Sequence, residues 1–243
     1  MDKKIKILKT IIDSSQRIVF FGGAGVSTES GIPDFRSTDG LYNQQYKYPP
    51  ETILSRTFFD KYPEEFFKFY REKMICQSAK PNFAHEYLAK LEKEGKLSGI
   101  VTQNIDNLHF LAGSKNVFEL HGNVYRNYCM NCNEAYGIDV VANYNNEKEI
   151  PLCNCGGVIK PDVVLYEEGL SGEVIEGAID LISNADMLIV AGTSLAVYPA
   201  ASFINYFKGD KLVVVNKSDI SVDADLVIND SVGAVLKMVS ECK

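Results

Sequence analysis

The chain has 243 residues, of which 46% are hydrophobic, and it carries a formal net charge of −7 at pH 7. This composition allows a substantial core, either in one large domain or in a large domain with a small insertion. The acidic balance argues against direct nucleic-acid binding, which usually needs a basic surface, and no apolar run reaches the roughly 18 residues of a membrane span.

The N-terminal segment predicts an amphipathic surface helix. Ile5, Leu8, Ile11 and Ile12 recur at helical spacing between charged residues, a pattern unlike that of a secretory signal peptide. We therefore expect a cytoplasmic protein with no membrane partner.

A strand and a glycine turn come next. Residues 18–21 are consecutive apolar residues that read as a buried strand, and the glycines between positions 22 and 25 let the backbone turn sharply near a ligand. Thr28, however, stands where the third glycine of the dinucleotide fingerprint G-x-G-x-x-G would be. The loop GIPDFRS, residues 31–37, follows in place of a second strand that ends in an acidic residue. A hydride-transferring dehydrogenase is therefore disfavoured.

The rest of the chain alternates between short apolar strands and helices, apart from residues 37–80, which are rich in tyrosine and proline and contain the predicted helix PEEFFKFYREKM. Strands are predicted in GIVTQNID, VFELHGNV, VVLY, MLIVAGTS, KLVVVNKS and ADLVIND, with a helix after Pro199 and another at the C-terminus. Short apolar strands separated by helices indicate a parallel sheet covered on both faces. The predicted fold class is α/β, a doubly wound, Rossmann-like parallel sheet with a smaller zinc-binding and helical insertion domain.

Polar residues cluster where these apolar runs stop. Residues 25–28, residues 103–106, His121, Thr193 with its neighbour Ser194, and Asn216 each lie just past a strand-like run. Ligands of doubly wound sheets bind outside the carboxyl ends of the strands. We therefore expect these residues to line one site.

Four of the six cysteines form two short knuckles, C-x-x-C and C-x-C, at Cys129, Cys132, Cys153 and Cys155. This spacing predicts a tetrahedral zinc site, and because four thiolates leave no open position, the metal is expected to be structural. The alternatives are a redox pair or unligated thiols. A zinc ribbon that binds nucleic acid is disfavoured, because the insertion has few cationic residues.

Taken together and in this order, GAGVSTESGIPDFRS, TQNIDNLH, ELHG, the four cysteines, GTSLAVYPAA and VVN resemble the sirtuin family of NAD-dependent protein-lysine deacylases. The resemblance covers nearly the whole chain and is closest to bacterial members with a short N-terminus. It implies that NAD is consumed as a co-substrate: the acyl group of a modified lysine is transferred to ADP-ribose and nicotinamide is released.

The resemblance also implies an NAD site at the strand ends. Ala24, Gly25 and Thr28 would line the pyrophosphate, with donors from backbone amides and a helix N-terminus. Phe35 and Arg36 would belong to a mobile loop that closes over the nicotinamide ribose and the phosphates. The other expected contacts are Gln103 at the ribose, Asn104, Ile105 and Asp106 at the nicotinamide carboxamide, and Thr193, Ser194, Asn216, Ser231 and Val232 around the adenosine.

His121 is the expected general base. Of the three histidines it alone follows a strand and precedes a glycine, and imidazole titrates near neutral pH. In the family's mechanism the histidine helps a ribose hydroxyl to react after nicotinamide has left, and Asn104 and Asp106 are the other expected catalytic residues. The alternative is that His121 has only a structural role, as a hydrogen-bonded residue at the end of a strand. For His85 and His109 we expect structural roles.

Two segments match those between which family members sandwich an extended substrate peptide, and the expected contacts are Val163, Leu165, Tyr166, Leu195 and Val197. Backbone pairing of this kind tolerates many peptide sequences. Leu165 and Glu167 stand where an aromatic residue and a glycine are frequent in the family, which leaves the shape of the acyl-lysine tunnel open.

A second departure concerns the acyl group. Family members that prefer acidic acyl groups carry a tyrosine and an arginine three positions apart, and Tyr70 and Lys73 stand at what resembles that position. Because lysine lacks the planar fork that grips a carboxylate, acetyl is favoured over succinyl. The alternative is that both residues lie on the surface of an aromatic helix.

The resemblance divides the chain into a Rossmann-like NAD-binding domain, residues 1–36, 81–125 and 158–243, and a small domain, residues 37–80 and 126–157, with a helical segment and a zinc ribbon. The predicted function is deacetylation of acetyl-lysine in proteins or peptides, which yields nicotinamide, O-acetyl-ADP-ribose and free lysine. The alternatives are a deacylase of other acyl-lysines, a protein ADP-ribosyltransferase and, because His121 and Asp106 are present, less favourably a non-catalytic NAD-binding module.

Overall fold

The computed structural model describes residues 2–35, 40, 46–143 and 149–242. Within these residues the strands are β1 (Ile18–Gly22), β2 (Leu97–Thr102), β3 (Val117–Glu119), β4 (Gly122–Cys129), β5 (Ala135–Tyr136), β6 (Ile159–Val163), β7 (Met187–Ala191), β8 (Leu212–Val215) and β9 (Leu226–Ile228). The α-helices are α1 (Asp2–Ser14), α2 (Pro50–Ile53), α3 (Arg56–Lys61), α4 (Pro63–Lys73), α5 (Phe83–Lys93), α6 (Leu108–Leu111), α7 (Asp139–Ala142), α8 (Gly172–Ser183) and α9 (Val232–Glu241). Short 3-10 helices occupy Ala24–Val26, Thr28–Ser30 and Ala200–Tyr206.

Six strands form a parallel sheet in the order β3-β2-β1-β7-β8-β9. The chain leaves β1 to build one half of the sheet through β2 and β3, and the other half starts at β7 on the opposite side of β1. The loops after β1 and β7 therefore flank the point where the strand order reverses, which is where such sheets bind ligands. The predicted doubly wound, Rossmann-like sheet is confirmed.

Helices cover both faces of this sheet, and together they make the sheet unit. Ile18 and Phe20 of β1 face a core that α1, α5 and α9 cover, whereas Val19 and Phe21 face a core that α8 and the 3-10 helix at residues 200–206 cover. Every residue of β1 is buried, as the apolar run predicts for a central parallel strand. None of the helices in the described part of the chain is both long and apolar enough to cross a bilayer.

A second, small unit comprises residues 50–73, 122–143 and 149–163. Its antiparallel sheet has the order β5-β4-β6, and α2, α3, α4 and α7 pack against it through an aromatic core. Phe59 meets Phe66 edge to face with ring centroids 4.9 Å apart, and Phe66 stacks on Tyr70 at 5.6 Å. The helix predicted from PEEFFKFYREKM is α4, and its phenylalanines supply most of this packing.

One local prediction was wrong. The strand expected at VVLY is instead Ile159–Val163, and it pairs with β4 in the small unit instead of joining the parallel sheet. Beyond Val163 the Val164 amide donates to the His121 carbonyl at 3.0 Å, so the chain crosses towards the sheet unit. The helix expected after Pro199 is confirmed, and it is a 3-10 helix. The predicted domain boundaries remain a prediction, although β4 runs across the one placed between residues 125 and 126.

Candidate active site

The site begins where two glycine turns meet backbone to backbone. The amides of Gly23 and Gly25, after β1, donate to the carbonyls of Ala191 at 3.1 Å and Gly192 at 2.8 Å, after β7. A Cβ on Gly25 would lie 2.8 Å from the Gly192 Cα, and Gly192 itself has a φ of 58°. Only glycine allows this approach and this backbone conformation. The glycines of the turn thus shape the floor of the site.

A cavity of about 820 Å³, here called the polar cleft, opens above this floor. It is lined by most of the residues that were expected to contact the dinucleotide: Ala24, Gly25, Thr28, Phe35, Gln103, Asn104, Thr193, Ser194, Asn216, Ser231 and Val232. Gln103 Nε2 donates to Thr193 Oγ1 at 3.1 Å and so links β2 to β7 across the cleft. Arg36 lies outside the described residues, so its role stays a prediction.

One expectation about the phosphate end of the cleft was wrong. The residues after the glycine turn form two 3-10 helices of three residues each, Ala24–Val26 and Thr28–Ser30, and not the start of an α-helix. Gly31, with a φ of 83°, then ends the second of them. A phosphate bound at this end of the cleft would therefore not face the dipole of a long helix.

The loop before α9, which also lines the polar cleft, is held by a residue that sequence reasoning missed. Glu29 accepts hydrogen bonds from the Gly233 amide at 2.7 Å and from the Ser231 hydroxyl at 3.2 Å, so its carboxylate caps the N-terminus of α9. A Cβ on Gly233 would lie 2.5 Å from a Glu29 carboxylate oxygen. Glu29 therefore fixes the loop that carries Ser231 and Val232 against the cleft.

A second cavity of about 250 Å³, here called the apolar groove, adjoins the polar cleft. Ile105 and Asp106 line it, as do four of the five residues expected to contact the substrate, namely Val163, Leu165, Tyr166 and Val197. Lys73 also lines it, whereas Tyr70 is fully buried in the aromatic core, so the alternative that placed both side chains on the surface was wrong for Tyr70.

Leu195 is the fifth expected substrate residue, and it is not among the residues that line either cavity. Its backbone has a φ of 51°, and its side chain packs against the core between the sheet and α8. The chain turns at Leu195, and Val197, two residues further on, lines the groove as expected.

His121 lies where the two cavities meet. Both cavities are lined by Ala24, Ile32, Pro33, Phe35, Gln103, Asn104, His121 and Val197. The Nδ1 of His121 lies 2.9 Å from the Gln103 carbonyl, which fixes the proton on Nδ1 and leaves Nε2 as the acceptor. Burial lowers the pKa of His121, so the ring is neutral at pH 7.

The glycine after His121 explains how the ring is held at the junction. Gly122 has a φ of 78°, and a Cβ there would lie 1.9 Å from the Asp162 carbonyl oxygen on β6. Any side chain at this position would push β4 away from β6. Glycine is therefore required directly after His121, because β4 and β6 approach each other closely next to the imidazole ring.

Asn104 and Asp106 are held together by Ser27, which sequence reasoning also missed. The Ser27 hydroxyl donates to Asp106 Oδ2 at 2.6 Å and accepts from Asn104 Nδ2 at 3.1 Å, and the Leu108 amide donates to Asp106 Oδ1 at 2.9 Å. Burial raises the pKa of Asp106, while the bonds from Ser27 and Leu108 oppose that rise. This arrangement presents the Asn104 amide to both cavities and the Asp106 carboxyl group to the apolar groove.

The four clustered cysteines bring their sulfurs together at the end of the small unit. The Sγ–Sγ distances are 3.4 Å for Cys129–Cys155, 3.6 Å for Cys132–Cys153 and 3.5 Å for Cys132–Cys155. Four sulfurs about 2.3 Å from a tetrahedral zinc would lie about 3.8 Å apart, so the donor set fits. The Tyr136 hydroxyl donates to Cys153 Sγ at 3.1 Å. The four cysteines are thus positioned to hold a structural zinc.

Comparison with known proteins points in one direction. A model of the Sir2 family matches residues 23–199. The chain is 60% identical over 241 residues to an NAD-dependent protein deacetylase of Clostridium acetobutylicum, and the match spans 97% of this chain and 98% of the relative.

Solved structures agree with this result. One, of a Sir2 point variant with deacetylated p53 peptide and 3'-O-acetyl ADP ribose, is 40% identical with a TM-score of 0.89, and the match covers 98% of this chain and 97% of that chain. Another, of Sir2 with a p53 peptide and NAD+, is 40% identical with a TM-score of 0.86 and the same coverage. The similarity extends over the whole fold, including both units.

Proposed function

This chain belongs to the Sir2 family, and on that basis we propose that its polar cleft binds NAD and its apolar groove binds the acetylated lysine of a protein or peptide. The chain is an NAD-dependent protein deacetylase, so NAD is a consumed co-substrate. The assignment of the site rests on one observation: His121 and Asn104 line both cavities, so a base and a polar anchor lie where dinucleotide and acyl-lysine would meet.

The roles of the residues follow from this geometry. NAD supplies the ribose carbon that receives the acetyl group when nicotinamide leaves. Asn104 and Asp106, held by Ser27, would bind the nicotinamide carboxamide, and Ala24, Gly25 and Thr28 would line the pyrophosphate. Ile105 would contact the nicotinamide and Gln103 the ribose, and Phe35 and Arg36 would cover the reacting centre. The adenosine would be surrounded by Thr193, Ser194, Asn216, Ser231 and Val232.

His121 would act through Nε2. Because Nδ1 donates to the Gln103 carbonyl and burial keeps the ring neutral, Nε2 can accept a proton from a ribose hydroxyl at pH 7. The same hydrogen bond orients the ring, and it stabilises the charged imidazole that forms after proton transfer.

The substrate lysine would enter along Val163, Leu165, Tyr166 and Val197, which line the groove. Acetyl is proposed over acidic acyl groups because Lys73, the cation among the described residues that line the groove, lacks a guanidinium fork. The six free cysteines suit a reducing compartment, so we propose a cytoplasmic location. The net charge of −7 supports no direct nucleic-acid partner.

The function is tested by incubating the protein with NAD and an acetylated peptide and following the products by mass spectrometry. We expect free lysine peptide, nicotinamide and O-acetyl-ADP-ribose in equal amounts. Label transferred from NAD to protein would instead indicate an ADP-ribosyltransferase. NAD binding with no product of either kind on a panel of acyl peptides would leave only a binding module.

A further inference from the structure

The loop at residues 103–107, which carries Asn104 and Asp106, is tied to the segment that starts at His121. The His121 ring bonds to a loop carbonyl at 2.9 Å, and the Val124 amide donates to a second loop carbonyl at 3.0 Å. A third bond joins two side chains: Asn123 Nδ2 donates to Asn107 Oδ1 at 2.8 Å. The bond between Asn123 and Asn107 can be removed by substituting a side chain, and His121 is left unchanged.

Asn123 is fixed in one orientation by its surroundings. It is 1% exposed, its Nδ2 donates to Glu119 Oε1 as well as to Asn107, and its Oδ1 accepts from the Tyr125 amide at 2.8 Å. Both donors and the acceptor of the amide are thus used. A buried amide satisfied in this way cannot rotate without losing hydrogen bonds.

Glu119, the other acceptor of Asn123, is itself anchored. Its Oε2 accepts from Arg126 Nη1 at 2.7 Å, and Arg126 Nε donates to Asp162 Oδ2 at 2.8 Å on β6. Glu119 stands two residues before His121, at the end of β3. The network therefore connects three strands, β3, β4 and β6, to the loop.

Asn107, which accepts the hydrogen bond from Asn123, has an unusual backbone conformation. Its φ is 67°, in the left-handed region that asparagine tolerates better than most residues. It lies between Asp106 and Leu108, whose amide bonds to the Asp106 carboxylate. A shift of Asn107 would therefore move the Asp106 carboxylate, which lines the apolar groove next to Asn104.

We propose that Asn107 and Asn123 are positioning residues, which hold the loop carrying Asp106 in register with His121 and thereby set the affinity for the nicotinamide carboxamide. This inference rests on the proposed function of that loop. It predicts that loss of the Asn107 side chain weakens nicotinamide and NAD binding more than it weakens peptide binding, because the acyl-lysine contacts come mainly from residues 163–166 and Val197.

The test compares Asn107→Gly with the matched control Asn133→Gly. Both asparagines have left-handed backbones, with Asn133 at a φ of 61° on an exposed turn of the zinc knuckle, so glycine fits each position without strain. We expect Asn107→Gly to raise the nicotinamide concentration for half-inhibition about fivefold, the effect of one lost hydrogen bond, with a peptide KM within about twofold of wild type. Asn133→Gly should leave both constants unchanged.

A double-mutant cycle with Asn123→Ser completes the experiment. If the two side chains act together, Asn107→Gly should add no further loss in the Asn123→Ser background. Equal nicotinamide inhibition in wild type and Asn107→Gly would overturn the inference, and this single variant decides the matter if Asn123→Ser fails to fold. A deacetylating wild type that nicotinamide does not inhibit would instead overturn the proposed carboxamide site, and the inference with it.

Discussion

The cleft end of the sheet unit and the cysteine end of the small unit both gather polar groups on buried backbone, but they depend on those groups differently. Near His121 the strands of the parallel sheet are held by an apolar core on each face, so the polar side chains can serve a ligand. Cys153 lies outside the strands, beside an isolated bridge between Leu152 and Val158, and β5 has only two residues. The sulfurs there hold the backbone itself.

This difference has a thermodynamic meaning. A side chain that serves a ligand can be removed at a small cost in the free energy of unfolding, whereas a metal ligand carries folding free energy because the site does not exist in the unfolded chain. The two regions should therefore respond to substitution in opposite ways, activity at one and stability at the other.

The largest effect should come from His121→Ala. We expect deacetylation to fall by about 10²–10⁴-fold, because the base is lost, while the melting temperature falls by no more than about 4 °C. Peptide turnover and thermal unfolding would measure these two quantities.

His109→Ala is the matched control, since that imidazole is buried against Phe20 and lines neither cavity. It should lower the melting temperature more than His121→Ala does and keep turnover per folded molecule. Normal turnover by the His121→Ala protein would contradict the claim that the side chains of the cleft serve activity.

Next in size should be the effect of Cys153→Ser on stability. Loss of one of four thiolates should remove the zinc, which metal analysis would show, and lower the melting temperature by more than about 5 °C. Cys76→Ser, which changes an exposed cysteine outside the cluster, should retain one zinc per chain and the wild-type melting temperature. A zinc-free Cys153→Ser protein that melts at the wild-type temperature would contradict a structural role for the metal.

The smallest effect concerns pH. Burial lowers the pKa of His121 below the ordinary value of 6.5, and the proposed role as general base requires the deprotonated ring. Activity should therefore be flat above neutral pH and decline as the pH falls through the lowered pKa, with a midpoint below 6.5. The pH dependence of kcat/KM would show it.

Stability must be measured over the same range, because burial also lowers the pKa of His85 to about 4. A histidine whose pKa is lower in the folded state binds its proton more readily when unfolded, so the free energy of unfolding falls as the pH drops from 6.5 towards 4. Urea unfolding would separate this loss from the titration of the base. A midpoint above 6.5 in fully folded protein would exclude His121 as the titrating group.

The sequence predicted those parts of the molecule whose signals are local. Short apolar runs gave the strands of the parallel sheet, polar residues after those runs converge on the two cavities, and the cysteine spacing gave the sulfur cluster. Each of these signals lies within a few residues, because strand burial and turn geometry act over that distance.

The rest depends on contacts between distant positions. Ser27 bonds to Asp106 and Glu29 to Gly233, and a serine or a glutamate after a glycine turn carries no sign of such a partner. The apolar run VVLY, residues 163–166, fits either sheet, so only the pairing of the residues just before it with β4 places the strand in the small unit. The positive φ of Leu195 likewise depends on tertiary packing, which the residues around it in the sequence do not reveal.

The central position of β1 has a consequence for biosynthesis. This strand is made early, yet one of its two neighbours, β7, begins only at Met187. On a ribosome that adds about 5–20 residues per second, Val19 and its neighbours wait on the order of ten seconds for that partner. Nascent chains should therefore expose an aggregation-prone hydrophobic strand until most of the polypeptide has emerged. A chaperone that binds this strand should raise the yield of native enzyme.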